Sequence, residues 1–93
     1  MAVYVDDPVW KWRGTRWCHL TADSTDELNA FADRLGLRRG WLQCKPGRPW
    51  HDHYDIPSDA REKAIALGAL PLTMREMGER QARRRASLRA AGH

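Results

Sequence analysis

Five consecutive residues, His51-Asp52-His53-Tyr54-Asp55, gather two imidazoles, two carboxylates and a phenol. Together with Asp6, His19 and Asp23, they are the groups in this chain best equipped to move protons or hold a ligand. Imidazole exchanges protons near neutral pH, and a carboxylate on one ring nitrogen fixes which nitrogen carries the proton. His19, His53, Asp55 and Asp23 are therefore the catalytic candidates. Asp6, Trp10, Arg13, Trp17, Gln43 and Tyr54 are the ligand-binding ones. The chemistry they suit is binding of a nucleotide or another phosphorylated small molecule, with hydrolysis as its extension. Trp10, Trp12 and Trp50 stand near Arg13, Arg16 and Arg48, and aromatic faces beside guanidinium forks match a base and its phosphate.

His51-x-His53 on an extended segment would turn both rings to one side, as metal ligation requires, with a further ligand from Asp6, Asp23 or His19. Two histidines two apart are a weak signal, so no metal and no cofactor is assigned. There is no H-E-x-x-H, no G-x-x-x-x-G-K and no G-x-S-x-G. Cys18 and Cys44 lack a C-x-x-C spacing and read as packing thiols. Each polar residue also has a plainer reading. Asp6-Asp7-Pro8 suits a turn, Asp23 and Asp55 suit helix caps, His19 suits a hydrogen-bonded core histidine, and five Trp suit packing.

These groups act together only if the chain's elements bring them to one place. Ala2-Val3-Tyr4-Val5 is a short β-prone run stopped by Pro8, and residues 8–16 read as a loop. Trp17–Ala22 alternates with period two, placing Trp17, His19 and Thr21 on one face and Cys18, Leu20 and Ala22 on the other. Ser24-Thr25-Asp26-Glu27 is a capping box, followed by Leu28, Phe31 and Leu35 at helical spacing, with Gly36 as its stop. Residues 40–43 read as a third strand. Pro57-Ser58 opens a second helix with Ala60, Ala64 and Leu67 on one stripe. Leu70-Pro71-Leu72 is a weak edge strand. Thr73-Met74-Arg75-Glu76 caps a third helix that turns Met74, Met77 and Gln81 inward and is polar all round beyond Arg83.

That order predicts a small single-domain α/β fold: a sheet of about four short, mostly parallel strands with three helices. In such a sheet Asp6, Asp23 and Gln43 would all end strands at one rim, with the His51–Asp55 loop beside them.

Charge divides the 93-residue chain into a body (1–72) and a basic C-terminal helix (73–93). The body holds ten basic and ten acidic side chains, and the tail six arginines against Glu76 and Glu79, so the net +4 sits on the tail. An alternative function follows: an accessory module binding nucleic acid or protein through Arg80, Arg83, Arg84, Arg85 and Arg89. Met1–Asp6 shows no leader pattern, and no run reaches the ~18 apolar residues of a membrane span. The expected setting is cytoplasmic, with no membrane partner.

The opening V-Y-V-D-D-P-V-W, the W-C-H-L-T-A-D before E-L-x-x-F-A, the L-G-L-R-R-x-W-L-Q segment and the H-Y-D before R-x-x-A-x-x-x-G-A resemble a small bacterial and phage family, domain of unknown function four-zero-three-one. The resemblance covers residues 2–72 and implies a compact α/β domain with no established activity. The positions that match its pattern are Asp6, Trp10, Trp17, His19, Asp23, Trp41, Gln43, His53, Tyr54, Asp55 and Arg61. His51 and both cysteines fall outside the pattern, and Trp12 stands where it has proline. By this criterion His53, Tyr54 and Asp55 stay in the site, and His51 and Asp52 become loop residues.

Overall fold

Hydrogen-bonding one strand to its neighbours on both edges determines everything else in this fold. That strand is β3, Thr15–Ala22. In the computed structural model, which describes residues 2–91, β1 (Val3–Val5) and β2 (Trp10–Trp12) pair with it antiparallel. The first residue of the expected body and the last two of the expected tail lie outside the described residues. The strand β4 (Tyr54–Pro57) also pairs antiparallel with β3. Leu20 faces both Val5 and Tyr54, and Trp17 faces both Trp10 and Pro57. Therefore β1 and β2 share one edge of β3, and β4 takes the other. A two-residue strand, β5 (Leu70–Pro71), runs parallel to β1 and completes a five-stranded sheet.

The sheet is therefore mixed and largely antiparallel, correcting the expectation of mostly parallel strands. The source of the difference is the 8–16 segment, expected to be a loop. It is a hairpin, with Trp10 opposite Trp17 and Trp12 opposite Thr15. Its tight turn uses Arg13 at φ 52° and Gly14 at φ 77°. Two successive positive φ values match the right-handed twist of paired strands, but the usual signal is Asn-Gly or Asp-Gly, and Arg-Gly lacks it.

Helix α1 (Thr25–Arg34) starts where the capping pattern places it: the Ser24 hydroxyl accepts from the Glu27 amide at 3.1 Å. The returning half of the box is missing, since Glu27 Oε1 is buried with no hydrogen-bond partner. At its end Gly36 adopts φ 79°. Its amide bonds Asp33, and that of Leu37 bonds Ala32, which closes the last turn. Helix α2 spans Ser58–Ala66, and α3 spans Met74–Ala90 with the complete Thr73–Glu76 capping box. The expected strand at 40–43 is instead a single helical turn, Arg39–Trp41, followed by an isolated bridge between Gln43 and His53.

The alternation in β3 sorts the layers as its sequence predicts. Cys18, Leu20 and Ala22 are fully buried in one cluster with Val3, Val5, Leu28, Phe31, Tyr54, Ile56 and Ala64, beneath α1 and α2. Burial of side chains of this size supplies roughly 1.5–3 kcal/mol each, which is what holds the two helices to the sheet. Trp17, His19 and Thr21 point to the opposite face, where α3 lies. Met77 and Arg80 are the buried residues of α3, and Arg80 stacks on Tyr4 with its guanidinium carbon 4.0 Å from the ring centre. Among the described residues no helix is long and apolar enough to cross a membrane.

Candidate functional site

The α3-facing side of the sheet carries the polar cluster, and a break in an edge strand sets its geometry. After Val5 the chain leaves β3, so the ladder must find another acceptor for His19. Asp6 supplies it. Its Oδ1 accepts the His19 backbone N–H at 2.6 Å and its Oδ2 lies 2.7 Å from the His19 ring Nδ1. The Asp6 side chain is 1% exposed and that of His19 is 31% exposed. The Asp6 hydrogen bond raises the pKa of His19 above the usual imidazole value, outweighing the opposing effect of burial, and the Asp6 and Asp55 charges act in the same direction. Arg61 reaches from α2 to the Asp6 carbonyl at 2.8 Å and locks the break from behind.

Directly across from His19 on β4 is Asp55, and His53 precedes it by two residues. Period two puts His53 and Asp55 on one side of β4. The backbone of His53 is clamped on its other edge by Gln43, whose N–H donates to its carbonyl at 2.8 Å and whose carbonyl accepts at 3.1 Å. The His53 ring places Nδ1 2.6 Å from the His51 carbonyl and Nε2 3.3 Å from Asp55 Oδ1. The His19 and His53 rings meet edge to face, 5.1 Å between centres, and Trp10 tilts over His19 at 4.7 Å. One ligand atom from each of His19, His53 and Asp55 falls within 4.8 Å of the other two.

Two hollows flank this cluster. Asp6, His19, His51, His53, Met77 and Gln81 line a cavity of about 210 Å³ under α3. On the other side, Asp55 borders a groove of about 750 Å³ lined by Trp12, Trp17, Trp41, Arg13, Gln43 and Lys63, among others. Trp12 and Trp41 are each 52% exposed, and Arg13 lies over the Trp12 ring at 4.5 Å. Trp17 is held by its indole N–H, which donates to the Trp12 carbonyl at 2.9 Å.

The residues expected at one rim are divided by this geometry. Asp6, His19, His53 and Asp55 come together, and Trp10, Trp17, Arg13 and Gln43 surround them. Asp23 does not join them. It accepts from the Ala2 amide, the Tyr4 hydroxyl and Arg80 at 2.8, 3.0 and 2.9 Å. Partial burial pushes its pKa up, but those donors prevail and hold it below the usual carboxylate range. Tyr54 points to the core side of the sheet, where its hydroxyl donates to Asn29 at 2.7 Å. Both departures follow from the antiparallel pairing. In a parallel sheet all carboxyl ends share a rim, whereas here the end of β1 meets the middle of β3 and the end of β3 meets the start of β1.

Sequence reasoning demoted His51 and Asp52, and the structure gives both a place. The His51 ring lines the cavity, its pKa lowered by burial and by Lys45 and Arg48. Asp52 is buried, with its carboxylate accepting from the Thr25 hydroxyl and its carbonyl from Thr21. Trp12 at the groove was among the tryptophans read as a face for a base, whereas Trp41 and Lys63 were not singled out as ligand residues. Trp41 matched the family pattern, and that was the signal available. Of the tail arginines, Arg80 is paired with Asp23 and Arg84 donates to the Ala22 carbonyl at 2.9 Å. Arg85 and Arg89 lie over Trp50 at 5.6 and 5.9 Å, and Arg83 lines a groove beside Tyr4 and Asp23.

This sequence matches the profile of the family described as "Protein of unknown function (DUF4031)" over residues 3–84. The chain belongs to that family. The DUF4031 match runs past the body into α3, so it includes Met77, Arg80 and Arg84, the residues that dock this helix. The basic helix is in that part family structure and not an appendage peculiar to this chain. No curated protein and no solved structure matches the chain.

Proposed function

We propose that this DUF4031 protein binds a nucleotide or a similarly built phosphorylated small molecule in the tryptophan groove, with the phosphorylated end toward Asp55, His53 and His19. One observation carries the reading: a groove of about 750 Å³ lined by three indoles and Arg13 ends on a carboxylate 3.3 Å from an imidazole. Its size falls in the range of small-molecule sites. Leaving Trp12 and Trp41 half in water forgoes burial that large aromatics otherwise gain, which is the mark of a surface kept for a partner. A planar base stacks on such rings whatever its edge, and Arg13 and Lys63 supply positive charge for the phosphate. The alternative through the C-terminal helix has less support, because Arg80, Arg84, Arg85 and Arg89 have partners within the chain.

Titration with a panel of nucleoside mono-, di- and triphosphates, followed by tryptophan fluorescence and thermal shift, tests the reading. At least one nucleotide is expected to quench fluorescence and raise the melting temperature. Trp41→Ala should weaken that ligand by about 5- to 150-fold, the equivalent of one lost stacking contact at about 1–3 kcal/mol. A panel without a single binder overturns the proposal.

A further inference from the structure

Hydrogen bonds orient the two imidazoles by engaging one nitrogen of each ring. The Nδ1 of His19 is engaged by Asp6 and the Nδ1 of His53 by the His51 carbonyl. A carbonyl only accepts, so the His53 Nδ1 carries the proton and its Nε2 holds the lone pair. The carboxylate places the His19 proton in the same way. Each ring is therefore left with Nε2 to offer, and the third group, Asp55, offers carboxylate oxygens. One ligand atom from each of the three lies within 4.8 Å of the other two, close enough for a single cation to be shared.

We propose that His19, His53 and Asp55 bind one divalent first-row transition ion, of the zinc, iron(II) or manganese(II) class, with Asp6 and the His51 carbonyl fixing the rings. The donor set identifies the class. Two imidazole nitrogens and one carboxylate suit borderline metals, whereas calcium and magnesium favour all-oxygen shells. Bonds of about 2.0–2.1 Å in a tetrahedral site put neighbouring ligand atoms roughly 3.3 Å apart. The His53–Asp55 pair already has that separation, at 3.3 Å, and His19 offers a ligand atom within 4.8 Å of both. Metal-bound histidines nearly always donate their second nitrogen to a carboxylate or a carbonyl, and here one ring has each. His19 and Asp55 stand opposite each other on paired strands, and the backbone of His53 is held by its bridge to Gln43. Three protein ligands leave at least one coordination position open, toward the groove or the cavity under α3. That is the form of a site that activates water or holds a ligand oxygen, not of a structural site closed by four residues.

The inference stands on these residues alone and does not require the nucleotide reading. It is tested on the full chain, stripped with a chelator and titrated with cobalt(II) and with zinc(II) alone. The expected result is one ion per chain by calorimetry and visible d–d bands of a low-symmetry cobalt site. His53→Ala and Asp55→Asn should abolish both signals, the second being a near-isosteric change at a partly exposed side chain that leaves the fold intact by circular dichroism. Asp6→Asn should retain the stoichiometry and weaken binding by about 10–100-fold. His51→Ala should change nothing, because only its backbone takes part. A wild-type chain that binds neither ion, or binding that survives Asp55→Asn in the folded variant, overturns the site. Metal binding without any nucleotide response would overturn the ligand proposal and leave this one standing.

Discussion

Replacing Asp6 by Asn alters the protein at the point where β1 leaves the sheet, and the consequences can be worked through in metal-free protein. The amide has the shape of the carboxylate, and its oxygen still accepts the His19 backbone N–H. Its nitrogen now faces the His19 Nδ1, however, so an ionic acceptor at 2.7 Å becomes a neutral donor. The ring must move its proton to Nε2. A hydrogen bond to a charged group contributes roughly 1.5–3 kcal/mol net and a neutral one about 1. The expected loss is therefore about 1–2 kcal/mol, or roughly 5–15 °C in melting temperature for a domain of this size. The loss depends on pH. The folded-state pKa of His19 is raised, first by its bond to Asp6, so the protonated ring stabilises the fold. That contribution is fully present below the unfolded histidine value of about 6.5 and disappears as pH rises through the higher folded value. The mutant retains the burial effect, which lowers the pKa, and against it only the smaller influence of the Asp55 charge. Urea melts with chelator at acidic and alkaline pH, paired with NMR titration of the His19 ring, read both effects. The wild type should titrate above about 6.5 and the variant at or below it, with the stability gap narrowing as pH rises. If His19 titrates at the same pH in both proteins, or the gap does not narrow, Asp6 does not control this ring as described.

Two further predictions concern groups outside the cluster. Burial, and after it the Asp6 charge, push the Cys18 thiol up to about 12. A thiol reagent at mildly alkaline pH should modify Cys44, which is exposed, and reach Cys18 only with unfolding. Intact mass showing two adducts on the native chain would contradict this. Arg80→Ala should cost about 2–3 kcal/mol by removing a buried stem and its stacking on Tyr4. Asp23→Asn should cost less than about 1 kcal/mol, since its side chain is 41% exposed and its ion pair is screened by solvent. Chemical denaturation of both variants checks the order, and a costlier Asp23→Asn would mean that charge and not packing docks α3.

Local chemistry alone determined a good deal of this protein. Ser24 and Thr73 start helices because a side-chain oxygen beside free amides is a property of a few consecutive residues. The alternation along Trp17–Ala22 placed Cys18, Leu20 and Ala22 in the core and His19 on the other face, since period two does not depend on the partner strand. Asp6, His19, His53 and Asp55 were likewise picked out as candidates by residue type and family pattern. The tertiary structure decided which of them meet. Strand direction arises from the Arg13-Gly14 turn and from pairing between segments far apart in sequence, and no local pattern encodes it. Antiparallel pairing sends Asp23 to the far end of β1, where it anchors Arg80, and leaves Asp6 beside His19 at the break. The same register sets Asp55 opposite His19 and turns Tyr54 into the core. The His51–Asp55 stretch thus contributes two side chains and one backbone carbonyl to the proposed site and buries Asp52 and Tyr54 as anchors, and that site's third side chain comes from β3.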